Sequence, residues 1–220
     1  RIVQDAINKY MKKYQPKRIA CVIADPNTGE ILAMSDDTTF NLNKATKAHN
    51  GYTKQQWEKM SKAKRSEILN SIWSNYCITD SFEPGSTAKP FTVAAGIEEN
   101  LINKNTKFTC DGHEKVDVYT IDCHNTSGHG TIDVKTAVAQ SCNDYMMFIG
   151  RKLGANTFMQ YQSRFGFGMK TGIDLPGETR GIVYDKEKGM NAVDLATNSF
   201  GQNFTVNMIQ MTAGFSSLIN

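Results

Sequence analysis

The sequence predicts a fold that mixes helices with antiparallel strands, and three stretches predict it. Ile2, Val3, Ala6, Ile7, Tyr10, Met11 and Tyr14 recur at steps of three and four, the spacing of one apolar helix face. Residues 18–24 and 30–35 are β-rich apolar runs separated by Asp25, Pro26, Asn27, Thr28 and Gly29. Those five residues favour a turn, so the two runs read as a β-hairpin. Residues 86–100 are apolar nearly all round, as a buried central helix is.

The remaining elements follow the same logic. Residues 36–50 are polar and read as a loop. Residues 53–73 read as one helix, with Trp57, Met60, Ile68, Leu69 and Ile72 as its apolar positions. Residues 106–123 alternate weakly, as short strands do, and Gly128, His129 and Gly130 mark a turn. Residues 133–140 and 144–153 read as two helices, the second stopped by Gly154. Residues 158–165 form another helix, and Leu175, Pro176 and Gly177 a loop. The last helix starts near Val206 with Thr205 as its expected cap. No internal repeat or low-complexity segment interrupts this order.

Composition narrows the function classes. A chain of 220 residues is long enough to bury a core, and its net charge of +3 is too mild to imply a nucleic-acid partner. Its basic residues sit in short groups such as Lys12-Lys13, which read as solvated helix faces. No apolar run reaches the length of a membrane span. Five cysteines, an odd number, leave no complete disulfide framework. Cys21, Cys77 and Cys142 read as small core residues. Cys110 and Cys123 bracket a polar stretch with His113 and His124 beside them. Three readings stay open for this pair: facing thiols or a disulfide across a hairpin, unrelated thiols, or a zinc site. The spacing matches no familiar zinc finger, so no metal and no cofactor is expected. His49, His113, His124 and His129 have no spacing that demands catalysis.

Two motifs carry chemistry. In Glu83-Pro84-Gly85-Ser86-Thr87-Ala88-Lys89-Pro90-Phe91, Ser86 and Lys89 lie three apart at a helix start and share a face. A hydroxyl is a poor nucleophile until a neighbouring base takes its proton. A lysine becomes that base when burial lowers its pKa, and the apolar residues after Lys89 supply the burial. Ser-x-x-Lys alone is a weak pattern, which a capping serine and a surface lysine also satisfy. The Pro-Gly before it and the apolar helix after it strengthen the functional reading. The second motif is Ser141-Cys142-Asn143, between two expected helices. There a second hydroxyl can relay a proton, and an amide can hold both the lysine and a substrate amide. Cys142 has no base placed for a thiol nucleophile. Together the motifs match two of the three signatures of serine acyl-transfer enzymes that react with penicillin.

With these residues in view, the chain resembles class B penicillin-binding proteins of the sporulation and division type in Gram-positive bacteria. The stretch from Ile78 to Thr92 resembles their nucleophile region. The stretches from His129 to Val134 and from Ala139 to Asn143 resemble their second motif. Phe165 to Gly168, Thr171 to Glu178, Ser199 to Gln202 and Gln210 to Ala213 resemble further signatures. The Cys110–Cys123 stretch resembles a cysteine-bearing hairpin of some members. Lys170-Thr171-Gly172 spells the third catalytic motif, but Pro176 cannot join a sheet ladder, and in the family that motif comes later. Glu178, after Pro-Gly, reads as a loop charge.

The resemblance implies an α/β fold: an antiparallel sheet flanked by helices, with a helical lobe beside it and the site in a groove between them. It implies that residues 1–220 are a transpeptidase domain without its C-terminal part, the third motif and the last strands of the sheet. A further segment or a second chain would then complete that sheet. Ser86 is expected as nucleophile, Lys89 as its base, Ser141 as proton relay and Asn143 as substrate holder, with Ser86, Ser141 and Asn143 contacting substrate. The implied partners are a peptidoglycan stem peptide and β-lactam antibiotics, with no nucleic acid. The implied location is the extracytoplasmic face of the bacterial membrane, with the anchor outside this chain. The alternatives are a β-lactam sensor or β-lactamase on the same fold, and an inactive cell-wall scaffold.

Overall fold

The computed structural model describes residues 1–47, 51–185, 187 and 189–220. The end of the expected 36–50 loop, His49 included, lies outside them. Helix α1 (Ile2–Tyr14) runs onto the hairpin of β1 (Ala20–Ala24) and β2 (Ile31–Asp36). The strands pair antiparallel, with Val22 opposite Met34, and Asp25 and Gly29 close the turn between them. Of the apolar face expected on α1 only Ile7 is buried, while Ile2, Tyr10 and Tyr14 stand exposed. Among the described residues neither hairpin strand pairs with a third.

The expected helix at 53–73 is two helices, α2 (Lys54–Lys59) and α3 (Lys62–Trp73). Met60 is extended, and the Ser61 hydroxyl accepts from the Lys64 N–H, starting a new helix where the apolar period alone shows no break. After the short α4 (Tyr76–Thr79), a 3-10 turn at Gly85–Ala88 feeds α5 (Lys89–Glu98), with Pro90 in its first turn, where the missing N–H costs little. Ser86 therefore lies on a 3-10 turn ahead of the α-helix.

The weakly alternating stretch does form strands. β3 (Lys107–Cys110), β4 (His113–Val116) and β5 (Tyr119–Asp122) are followed by β6 (Gly130–Asp133), which the sequence did not reveal beyond its opening turn. β3 pairs with β6 and β4 with β5, each antiparallel. Asp133 then caps α6 (Val134–Ala139) by accepting from the Thr136 N–H at 2.8 Å.

Helix α7 (Asn143–Arg164) breaks at Gly154, whose φ of 72° and ψ of 159° are not helical. The two helices expected on either side of that glycine are its two halves. α8 (Ala192–Ser199) was not foreseen, and its capping box of Asn191 and Asp194 is the local signal that marks it. The last helix, α9 (Met208–Ile219), starts two residues later than expected and is capped by Asn207. Thr205 and Val206 instead form β-bridges to Ile182 and Phe82, so the expected cap is used in strand pairing.

The architecture is α/β with antiparallel strands. α1, α4 and α9 pack on the β1–β2 hairpin, and a largely helical body of α5–α8 carries the two small sheets. Small residues allow its helices to approach closely. A Cβ on Gly96 of α5 would sit 2.8 Å from a methyl of Ile149 on α7, and one on Gly150 would sit 2.9 Å from Cβ of Ser199 on α8. Ile149 is fully buried at that crossing beside Ala95, Ile102 and Met146. Truncating Ile149 to alanine is expected to destabilise the chain by about 2–5 kcal/mol, since rigid helices cannot close over the void. Urea unfolding measures this, and an unchanged midpoint would contradict the packing described.

Candidate active site

The site forms where the start of α5 meets the junction of α6 and α7. Lys89 is 2% exposed, and its amine crosses to that junction. It donates to the Ser141 Oγ at 2.9 Å, to the Asn143 Oδ1 at 2.7 Å and to the Ser141 carbonyl oxygen. The Ser141 hydroxyl in turn donates to the Ser86 Oγ at 2.7 Å. Ser86 is exposed. The four residues singled out in the sequence thus converge in one place. The link from Ser86 to Lys89 runs through Ser141 among the described contacts, rather than directly between them.

Burial pushes the Lys89 amine down from the usual lysine range to about 8, against the opposing pull of Cys123 and Cys142. Its acceptors are two neutral side chains and a backbone carbonyl, so no carboxylate is bonded to it to hold the proton on. The arrangement therefore yields a base usable near neutral pH within reach of a hydroxyl relay.

Local backbone geometry sets each partner in place. α6 ends in a Schellman-type turn, with the Cys142 N–H donating to the Ala137 carbonyl at 2.9 Å. That turn puts Ser141 in the left-handed region with φ of 55°, where glycine is the usual occupant. The serine stands there at a cost and presents its hydroxyl to both Lys89 and Ser86. The Ser86 turn is clamped from the other side. Gly85 donates its N–H to the Gly201 carbonyl at 2.8 Å, and a Cβ on Gly201 would lie 1.9 Å from the Gly85 oxygen. Glu83 accepts from the Asn203 N–H at 2.9 Å. The stretch from Ser199 to Gln202, singled out in the sequence, thus backs the Ser86 turn.

Lys170-Thr171-Gly172 lies in a loop and not on a strand. Thr171 donates its N–H and its hydroxyl to Glu178 Oε1 at 2.7 and 2.8 Å. Glu178 is 7% exposed, so the loop charge expected there is a buried anchor. Cys110 and Cys123 are buried free thiols. They face each other near Cys142 and His129, with Asp144 behind, a grouping invisible to residue spacing. Among the described residues no helix is long and apolar enough to cross a membrane.

The strained serine separates two contributions. Ser141→Gly is expected to keep or raise the melting temperature, since it relieves left-handed strain of roughly 1–2 kcal/mol. Ser141→Ala keeps the strain and is expected to lower it. Both should slow acylation of Ser86 by about 10²–10⁴-fold through loss of the relay. Thermal melts and single-turnover labelling report the two effects, and equal melts for the two variants would refute the strain.

Residues 19–220 match the family of the penicillin binding protein transpeptidase domain. Stage V sporulation protein D of Bacillus subtilis is 34% identical over 220 residues, covering all of this chain and 31% of the relative. The peptidoglycan D,D-transpeptidase MrdA of Acinetobacter baumannii is 30% identical over 173 residues, covering 78% of this chain and 25% of the relative. The chain thus spans about a third or less of these relatives. A crystal structure of a peptidoglycan synthetase from Bifidobacterium adolescentis shares the fold at a TM-score of 0.81 with 23% identity, covering 100% of this chain and 36% of that one. A match over nearly its whole length makes this chain a member of the penicillin-binding transpeptidase domain family.

Proposed function

We propose that this chain carries the acylation machinery of a serine D,D-transpeptidase that cross-links peptidoglycan stem peptides. The observation that supports it most is the hydrogen-bonded path from Ser86 through Ser141 to a buried Lys89 held by Asn143. In this reading Ser86 attacks the penultimate D-alanyl carbonyl of a stem peptide. Its proton passes through Ser141 to the neutral Lys89 amine. The Ser86 N–H is one donor to the tetrahedral oxyanion. As the C–N bond breaks, Ser141 hands a proton to the departing D-alanine, and an ester on Ser86 remains. Asn143 keeps Lys89 in place and holds the substrate amide. An amine from a neighbouring stem peptide then displaces Ser86 and forms the cross-link. β-Lactams enter the same path and leave a stable acyl group on Ser86.

The same reading has the open edge of the β1–β2 hairpin completed by further strands, from another segment or a second chain. The exposed Ile23, Ile31 and Leu32 on the hairpin are consistent with that. It also places the protein on the extracytoplasmic face of the bacterial membrane, where the substrate is.

Ser86→Ala in the full-length protein is expected to abolish labelling by a fluorescent penicillin, and persistent labelling would refute the assignment. The pH profile tests the base. Only the deprotonated amine accepts a proton, and its pKa is lowered to about 8, so acylation is expected to rise with pH to a plateau with its midpoint near there. A rate that is flat from neutral to alkaline pH would remove Lys89 from that role.

A further inference from the structure

The segment just ahead of Ser86 has little of its own to hold it still. Gly85 directly precedes the serine at a φ of 56°, and without a Cβ it sets no steric bar to rotation there. Pro84 has no N–H to donate. Backbone bonds hold the two ends of the segment. Phe82 is bridged to Val206, and the Gly85 N–H donates to the Gly201 carbonyl at 2.8 Å. Between these ends, among the described contacts, the side chain that crosses the gap is that of Glu83. Its Oε1 accepts from the Asn203 N–H at 2.9 Å, across a separation of 120 residues. Glu83 is exposed, so the bond adds little to the core. What it does is join the segment before Ser86 to the segment after α8.

The residue that Glu83 reaches is itself tied down. Asn203 stands in the left-handed region at a φ of 63°, which asparagine tolerates better than most residues. Its Nδ2 donates to the Tyr184 hydroxyl and to Asp194 Oδ1, at 2.9 Å each. The Tyr184 hydroxyl donates to the same Asp194 oxygen at 2.9 Å, which closes a triangle. Asp194 belongs to the capping box of α8. Its Oδ2 accepts from the Asn191 N–H at 3.2 Å, and its own N–H donates to Asn191 Oδ1 at 2.9 Å. α8 is packed in turn on α7, where Gly150 meets Ser199. A path of hydrogen bonds thus runs from the start of a packed helix, through Asn203, to the carboxylate three residues before Ser86.

We propose that Glu83 is a positioning residue for Ser86, and that the triangle of Asn203, Tyr184 and Asp194 aims the N–H on which Glu83 rests. That role rests on the acylation of Ser86 proposed above. The bond keeps the segment from Glu83 to Gly85 from turning, and so keeps the Ser86 Oγ at the Ser141 hydroxyl, 2.7 Å away. A shift of about 1 Å at a reacting atom can cost about 10²-fold in rate, even when its cause lies away from the chemistry. A carboxylate at this place could also act by charge alone, near the start of α5. Glutamine separates the two roles, because its amide oxygen still accepts from Asn203 while the charge is gone.

Rapid-quench labelling of the full-length protein at rising benzylpenicillin concentration separates the dissociation constant of the first complex from the acylation rate within it. Glu83→Ala is expected to lower that rate by about 10- to 100-fold and to leave the dissociation constant unchanged. Glu83→Gln is expected to restore most of the rate. Asn203→Gly suits the left-handed backbone and keeps the N–H, but removes the arm to Tyr184 and Asp194. It is expected to slow acylation in the unaltered protein and to add nothing on top of Glu83→Ala, as two residues acting through one bond do. The pH midpoint of acylation is expected to stay in place in all three, because the contacts of Lys89 are untouched. Lost stability alone lowers the amplitude of labelling and leaves the rate, so an unchanged rate in Glu83→Ala overturns the proposal. So does Glu83→Gln as slow as Glu83→Ala, which assigns the effect to charge, or a weaker first complex with an unchanged rate. Labelling that persists in Ser86→Ala would sink the acylation reading and this role with it. Labelling confined to Ser86, with Glu83→Ala as fast as the unaltered protein, sinks this role alone.

Discussion

The buried amine of Lys89 is the constraint on which the rest of the site depends. Moving an ammonium out of water costs several kcal/mol unless its hydrogens find acceptors. Here they come from Ser141 and Asn143, more than fifty residues away along the chain and on a different pair of helices. The Ser86 turn precedes the lysine directly, so placing the amine also places the Ser86 hydroxyl. The α6–α7 junction must then offer three oxygens to one point. That requirement explains why a serine occupies a left-handed position that suits glycine, and why an asparagine stands in the first turn of α7 behind its Cys142 cap.

Packing converts this local demand into a rigid frame. α5 and α7 meet through Gly96 and Ile149, and α7 meets α8 through Gly150 and Ser199. The Ser199 carbonyl accepts from the Thr92 hydroxyl of α5 at 2.8 Å, which closes the triangle of helices. Two residues later Gly201 lies against Gly85 at the Ser86 turn. Side chains from three helices and one glycine contact therefore fix where Ser86 points, and interiors packed this tightly do not drift by small degrees.

What could be read in advance followed from how local the signal was. The hairpin, the Gly154 break and the four site residues each rest on a few consecutive residues with a defined chemical meaning, and the fold carries all of them. The misreadings share a cause as well. The helix at 53–73 kept its apolar period through Met60 while Ser61 capped a new start. Thr205 has a cap's chemistry, but its N–H and carbonyl oxygen pair with Ile182, and Asn207 takes the cap with Gln210. α8 has too few residues to establish a period, and β6 is four residues with one buried side chain. The left-handed Ser141 sits in a turn that glycine usually fills, and Glu178 is buried on Thr171 of its own loop, so neither residue type announces its role.

The two motifs of the site are supported by different physics, and this bears on how the site tolerates change. The Ser86 turn rests on backbone contacts, with Gly85 against Gly201 and Phe82 bridged to Val206. Apart from the Glu83 carboxylate on the Asn203 N–H, such support is indifferent to most side-chain substitutions and is most sensitive where a Cβ would enter the gap. The Ser141–Asn143 junction rests instead on side chains behind it: Cys142 buried beneath the turn, Cys123 accepting the Asn143 N–H, and Asp144 reaching the Cys110 turn. Neutral thiols are weak hydrogen-bond partners, so in the thiol state this half of the site is the softer one. The precision of the Lys89 acceptors is therefore set from behind the junction.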